Sequence, residues 1–276
     1  MNIYTLNVGQ GQFVVVTGGS EAFVIDTHVP LNPATPIVNV KSALAIALSG
    51  KNLVGLIVTG FDSDHFNEIG LRIVLNKYRP NWIAYPKYFK RTQCAAECFG
   101  FIDAYDRQNT IQRVSFSLTS NAARFYTKLS KEFDFEMFSP HAEDMNSSNN
   151  CSLVCKVTER ATKRSYLVTG DTEADRWASV VRIFGDAIKC DVMAAPHHGS
   201  SNGVTSALMQ KAKPHTVLIS AGVKNQYGHP DRDALERYRA VATHVWSTNW
   251  TDADGLGQSL RTEVLAGTIN TVKFEP

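Results

Sequence analysis

Short apolar runs that end in glycine or acidic residues alternate along this chain with stretches whose apolar residues recur every three or four positions. Residues 3–8 read as a strand, broken by Gly9-Gln10-Gly11. Residues 12–17 and 22–26 read as two strands turning at Gly18-Gly19, a hairpin signal. The run 53–59 is apolar almost throughout, the pattern of a strand covered on both faces. Further strands are expected at 81–85, 136–138, 152–158, 164–169, 191–195, 216–220 and 244–247. Helical spacing predicts helices over 42–48, 67–77, 173–184, 205–211 and 231–241. Pro30, Pro33 and Pro36 mark a loop, and 146–150 reads as a polar loop. Residues 86–125 follow neither period clearly.

Two mixed halves of strands and helices in this order predict a sandwich with strands inside and helices outside. No composition shift or repeat marks a boundary, so residues 1–276 are expected to form one domain. At 276 residues, 43% hydrophobic and 20% charged, the chain is long enough to bury a large core. A net charge of +2 gives no basic field for nucleic acid, although a single groove can be basic in a nearly neutral protein. Five cysteines, an odd number in a long chain, argue against a disulfide scaffold. No signal peptide pattern and no run of 18 apolar residues is seen, so a cytoplasmic protein without a membrane span is expected.

Candidate chemistry sits at three predicted strand ends: Asp62-Ser63-Asp64-His65, Gly170-Asp171 and His197-His198. Loops held by a rigid sheet can bring such groups into one crevice. Carboxylate oxygen and imidazole nitrogen together suit zinc, manganese or iron. Each residue also has a quieter reading. Asp62 and Asp64 are good turn formers or helix caps, and so is Asp171 before the helix at 173. His229, before Pro230 and a predicted helix, suits a structural hydrogen bond as well as a catalytic role. His28 follows Asp26 at a strand end and is expected to approach the site, whereas His141, His215 and His244 fall outside the pattern. Cys94, Cys98, Cys151 and Cys155 have spacing that a four-thiolate zinc site would use, but a pair of buried core thiols on one strand face is the stronger expectation for the latter two. Tyr85, Tyr88, Phe89 and Tyr227 lie near Lys87, Lys90, Arg91 and Lys224, a mixture that suits base stacking with phosphate contacts or simply a solvated rim.

The motifs Asn7-Val8-Gly9-Gln10-Gly11, Thr59-Gly60-Phe61-Asp62-Ser63-Asp64-His65, Asn149-Asn150-Cys151-Ser152-Leu153-Val154, Leu167-Val168-Thr169-Gly170-Asp171, Ala195-Pro196-His197-His198-Gly199-Ser200 and Asn225-Gln226-Tyr227-Gly228-His229-Pro230 occur in one order along the chain. In that set the sequence resembles the metallo-β-lactamase superfamily, and within it the hydrolase domain of the ComEC/Rec2 competence proteins. The resemblance implies a four-layer αββα sandwich and a centre for one or two divalent ions, zinc or manganese. It implies hydrolysis of a phosphodiester by a metal-activated water, with single-stranded DNA or a nucleotide as the substrates it suggests. Carried over by position, Asp64 and His65 would hold one ion, Asp171 would bind or bridge, and Asp62 would stand where the superfamily often has a histidine ligand. His198, directly before a glycine, is preferred as the late ligand, with His197 facing substrate, and the reverse assignment stays open. His197 or His229 would hydrogen-bond phosphate or protonate the leaving oxygen. Gly60 stands where the family usually has histidine, Gln12 where it usually has aspartate, and Asn150 where many superfamily members, though not the competence proteins, have histidine. Hydrolysis of another ester or a lactone, and a non-catalytic binding module with a weakened site, are the other function classes this pattern allows.

Overall fold

The computed structural model describes residues 1–30, 38–88, 90–142 and 147–276. Pro33, Pro36, Phe89 and residue 146 of the predicted polar loop lie outside the described residues. The chain opens with β1 (Asn2–Thr5), β2 (Val14–Thr17) and β3 (Glu21–Ile25), then passes through α1 (Val40–Ala47), β4 (Asn52–Ile57), α2 (Glu68–Tyr78), β5 (Trp82–Pro86), α3 (Gln93–Asn109) and β6 (Gln112–Phe116). A second set follows: β7 (Arg124–Tyr126), β8 (Phe133–Ser139), β9 (Val154–Glu159), β10 (Ser165–Val168), α4 (Ala174–Phe184), β11 (Val192–Ala194), α5 (Ser206–Ala212), β12 (Thr216–Ile219), α6 (Arg232–Arg239) and β13 (His244–Ser247). The chain ends with β14 (Ser259–Val264) and β15 (Ile269–Phe274).

These strands form two sheets, ordered β15-β14-β1-β2-β3-β4-β5-β6 and β13-β12-β11-β10-β9-β8-β7. Each sheet is antiparallel on one side and parallel on the other, the parallel runs being β3 to β6 and β10 to β13. Parallel neighbours need a crossover, and a helix supplies each one. Three apolar layers then bind four structural layers. Between the sheets, Phe23 packs edge-on to Phe133 and Phe135 at 5.2 and 5.3 Å, and Trp82 meets Phe135 at 5.3 Å. Outside the first sheet, Leu44, Leu71, Leu75 and Ile102 of the helices cover Val24, Leu56 and Ile83. Outside the second, Trp177, Leu208 and Tyr238 cover Met193, Val217 and Ile219. Fully burying one such aliphatic or phenyl side chain contributes about 1.5–3 kcal/mol. Gly55 interrupts the apolar run of β4 because a Cβ there would lie 2.1 Å from the Trp82 indole. The result is the αββα sandwich that the sequence predicts.

The differences lie in elements that the hydrophobic pattern does not announce. α3, β6, β7, β14 and β15 are additional, and β1 stops at Thr5 rather than continuing to Val8. The last hairpin does not extend the second half but returns to pair β14 with β1 across the first sheet. Among the described residues, no helix is long and apolar enough to cross a membrane.

Candidate metal centre

Parallel strands from both sheets end at one crevice. Asp26 follows β3, Asp62, Asp64 and His65 follow β4, Asp171 follows β10, and His197 and His198 follow β11. The backbone around them is pinned. Gln12 N donates to Asp64 O at 2.8 Å, Thr27 N to His65 O at 2.7 Å, and Leu153 N to Thr59 O at 2.8 Å. Gly11, with φ +149°, passes so close that a Cβ would lie 2.4 Å from the His28 ring and 2.7 Å from Asp64 O. The glycine of the Gly-Gln-Gly turn therefore exists to let two loops touch. Gly170, at φ +53°, turns the chain where a Cβ would meet Ser152 Cβ at 2.9 Å, and Ser152 Oγ accepts from Asp171 N at 3.0 Å. His197 and His198 are consecutive left-handed residues, with φ 50° and 54°. Non-glycine residues seldom adopt that conformation, and such strain concentrates at functional sites.

One ligand atom from each of Asp64, His65, Asp171 and His198 lies within 4.8 Å of the others. His65 Nε2 is 2.9 Å from Asp171 Oδ1, and His198 Nε2 is 3.6 Å from both Asp171 Oδ1 and Asp64 Oδ2. His65 Nε2, His198 Nε2 and Asp171 Oδ1 are all buried and face one another rather than any other protein group apart from Asp64. Buried carboxylate oxygens and imidazole nitrogens aimed at one point fit a cation between them. The far side of each ring is fixed. His65 Nδ1 meets Asp26 Oδ2 at 2.8 Å, and His198 Nδ1 donates to Ser220 O at 2.8 Å. Asp26 in turn accepts from Thr59 N at 2.7 Å and Thr59 Oγ1 at 2.6 Å. Such outer partners set ring orientation and leave the other nitrogen free for metal.

The charge balance points the same way. Burial alone would lower the pKa of His65, but the Asp171 and Asp26 carboxylates outweigh it and hold the pKa well above the usual imidazole value. For His198, burial is likewise outweighed by Asp171 and Asp64, and the pKa is raised. Burial would raise the pKa values of Asp64 and Asp171; the two imidazoles instead hold both below the ordinary carboxylate range. The cluster attracts positive charge, which protons supply when no metal does.

The other predicted residues fall around this core. Asp62 lines the same cleft but is paired with Lys90, and its carboxylate is not one of the four clustered groups. His197 also faces the cleft, with Nε2 4.0 Å from Asp171 Oδ2 and Nδ1 3.1 Å from Asn202 Oδ1. Of the two adjacent histidines, His198 joins the cluster and His197 stands beside it. His229 lines the cleft 5.9 Å from the His197 ring and bonds Asp231 at 3.2 Å. His28 reaches the cleft wall through Ser63 O at 2.8 Å. The cap reading for Asp171 does not apply: Asn150 Oδ1 accepts from Glu173 N, and Glu173 occupies the cap position of α4. Nor do Asp62 and Asp64 cap α2, whose cap is Asn67.

The cysteines form no metal cluster among the described residues. Cys155 lies between the sheets, Cys98 on the buried face of α3, and Cys151 in a turn before β9 rather than on the strand as expected. Cys94 and Cys98 point at Phe66 O, at 3.0 and 3.7 Å, and none of the five cysteines is in a disulfide. Tyr85 and Tyr88 do not make a stacking surface: both pack on Phe61 in the outer apolar layer, at 6.2 and 4.9 Å. Tyr227 is 57% exposed, and its ring stacks on His229 at 5.8 Å. Sequence reasoning missed Asp26 as a partner of His65; its position at the end of a strand, beside His28, was the available signal.

Fold and site together define the class. The chain has the metallo-β-lactamase fold, with four ligand-type side chains gathered at the strand ends. Among its sequence relatives are proteins named for competence and recombination, as the motifs led one to expect. It is 29% identical over 204 residues to ComE operon protein 3 of Bacillus subtilis (strain 168), covering 72% of this chain and 24% of that protein. It is 32% identical over 114 residues to Recombination protein 2 of Haemophilus influenzae, covering 41% of this chain and 14% of that one. The chain thus corresponds to about a quarter or less of the length of these relatives. No family model matches it. Among solved structures, it is similar to Igni18, a metallo hydrolase from Ignicoccus hospitalis KIN4/I, with TM-score 0.54, 13% identity and coverage of 99% of this chain and 100% of that one. It is also similar to CmlA, a diiron beta-hydroxylase from Streptomyces venezuelae, with TM-score 0.55, 12% identity and coverage of 99% and 54%.

Proposed function

We propose that the chain is a metal-dependent hydrolase of phosphodiesters, with Asp64, His65, Asp171 and His198 holding a divalent cation, zinc or manganese. The observation that carries this reading is the convergence of three buried polar atoms, His65 Nε2, His198 Nε2 and Asp171 Oδ1, on one point beside the Asp64 carboxylate. When bound, the cation supplies a water of lowered pKa and neutralises charge on phosphoryl oxygens. The protein's own groups do the rest. Asp26 and Ser220 hold the two imidazoles in place. His197 and His229 face the cleft as donors to a phosphoryl oxygen or to the leaving oxygen. Asp62, at the cleft wall, orients the attacking water.

The cleft, about 390 Å³, is lined by Gln10, Asn149, Gln226 and Tyr227 as well as by the acidic and imidazole groups. A wall of amides and imidazoles suits a polar phosphodiester better than an acyl chain or lactone. The names of two relatives, a recombination protein and a competence protein, favour DNA, in particular single-stranded DNA, or a nucleotide over other phosphodiesters. Turnover of bis-p-nitrophenyl phosphate, single-stranded DNA and a lactone, each with added Mn²⁺ or Zn²⁺, tests the proposal. Metal-dependent cleavage of the first two is expected, and Asp171→Ala is expected to abolish it while leaving the circular dichroism spectrum unchanged. Cleavage of the lactone alone, or full activity in Asp171→Ala, would refute the reading.

A further inference from the structure

Beside the four clustered groups, the cleft carries one more carboxylate, Asp62, and it already has a cation. The Lys90 ammonium sits on Asp62 and also donates to Ser148 Oγ at 3.3 Å. Both side chains are half-buried, Lys90 at 27% and Asp62 at 32% exposure. Gly60, Asn149 and Asn150 offer no strong ligand, and the other imidazoles of the cleft, His28, His197 and His229, each commit one ring nitrogen, to Ser63 O, Asn202 Oδ1 and Asp231 Oδ1. Gly60 has no side chain, and a Cβ there would find Ser152 Oγ and Tyr88 Oη no nearer than 4.0 Å. Asn150 spends its amide oxygen on Glu173 N at 3.0 Å, at the start of α4. Asn149 donates its amide to Glu173 Oε1 at 2.9 Å. An amide oxygen already engaged and a glycine cannot replace imidazoles, and a carboxylate neutralised by lysine has lost its attraction for a metal ion.

We propose that this centre is built for one divalent cation, and that the Lys90 ammonium on Asp62 stands in place of a second. The inference rests on the hydrolase reading for the first cation, and goes beyond it in fixing the number of ions and the role of Lys90. Lysine is a point charge on a flexible stem, able to sit on Asp62 without the fixed donor geometry that a metal ion demands. It leaves a fixed positive charge at the cleft wall whatever the metal supply.

The test is the binding stoichiometry of Mn²⁺ and of Zn²⁺, by isothermal titration of the tag-free, chelator-treated chain with bound metal counted by plasma mass spectrometry. The wild-type chain is expected to saturate at one equivalent. Asp62→Asn is expected to keep that equivalent at wild-type affinity, because Asp62 is not a ligand of it. Lys90→Ala and Lys90→Met, at a half-exposed position that the core does not need, are expected to admit a second, weaker equivalent. Two equivalents in the wild type, loss of the single equivalent in Asp62→Asn, or saturation at one equivalent in both Lys90 variants would each overturn the inference. No binding at all by the wild type would instead bring down the hydrolase reading on which it stands.

Discussion

His65 turns its Nδ1 to the carboxylate of Asp26, 2.8 Å away, across a contact that is wholly buried. Nothing in the local sequence joins these residues, which lie 39 positions apart, at the ends of adjacent parallel strands. Their pairing aims Nε2 of the ring at Asp171 Oδ1, 2.9 Å away, within the ligand cluster.

Asp26→Asn is expected to weaken divalent metal binding by about 10–100-fold, the usual cost of losing an outer partner of a ligand histidine. The amide keeps the shape of the carboxylate, so the fold should persist, with some loss from the Thr59 hydrogen bonds. Competition titration against a chelating dye measures this. Unchanged affinity would mean that Asp26 only supports the strand end.

The two neighbouring histidines should separate by readout. His198→Ala removes a member of the buried cluster and is expected to lose metal binding and turnover together. His197→Ala is expected to keep wild-type metal stoichiometry while lowering kcat or raising KM for a phosphodiester, because its ring faces the cleft beside the cluster. Equal loss of metal in both variants would contradict the assignment.

Stability of the metal-free protein should depend on pH in a defined sense. His65 and His198 have raised pKa values in the fold. Their contribution is present below the unfolded imidazole value of about 6.5 and disappears as pH rises through the raised values. Asp64 and Asp171 have lowered values, so their contribution is present above about 3.9 and is lost as pH falls through the lowered ones. The metal-free chain is therefore most stable between about pH 4 and 6.5, and its Tm falls as the solution becomes alkaline. Metal binding displaces the same protons, so the rise in Tm produced by Mn²⁺ or Zn²⁺ should grow with pH over that range. Thermal melts with chelator and with metal check both slopes. Parallel slopes would show that the imidazole protons and the metal do not compete.

Much of this architecture can be read from the chain because most of its strands are short apolar runs closed by glycine or acidic residues. The run before Gly60 and that before Gly170 carry their ligand residues immediately after the turn, so the candidate cluster follows from strand ends. α3 stayed hidden because its buried stripe is Ala95, Cys98, Ile102 and Tyr105, a set whose small and polar members blur the helical period. β14 and β15 stayed hidden because their inward positions include Thr262 and Thr271, which satisfy each other at 3.0 Å between Leu260 and Val264. In the sequence Lys90 is one of a mixture of basic and aromatic residues that fits either a nucleic-acid contact or a solvated rim. Only the turn after β5, stapled by Tyr88 against Phe61, brings it to Asp62. Pairings between loops of different strands leave no local trace, and they determine which carboxylate is free for metal.

The most direct measurement of the central claim is an anomalous difference map from crystals grown with excess Mn²⁺ or Zn²⁺. The account predicts a strong peak in the crevice, at about 2.0–2.2 Å from His65 Nε2, His198 Nε2 and oxygens of Asp64 and Asp171. Density for a metal elsewhere on the chain, with these four side chains still facing one another around no ion at saturating metal, would contradict it.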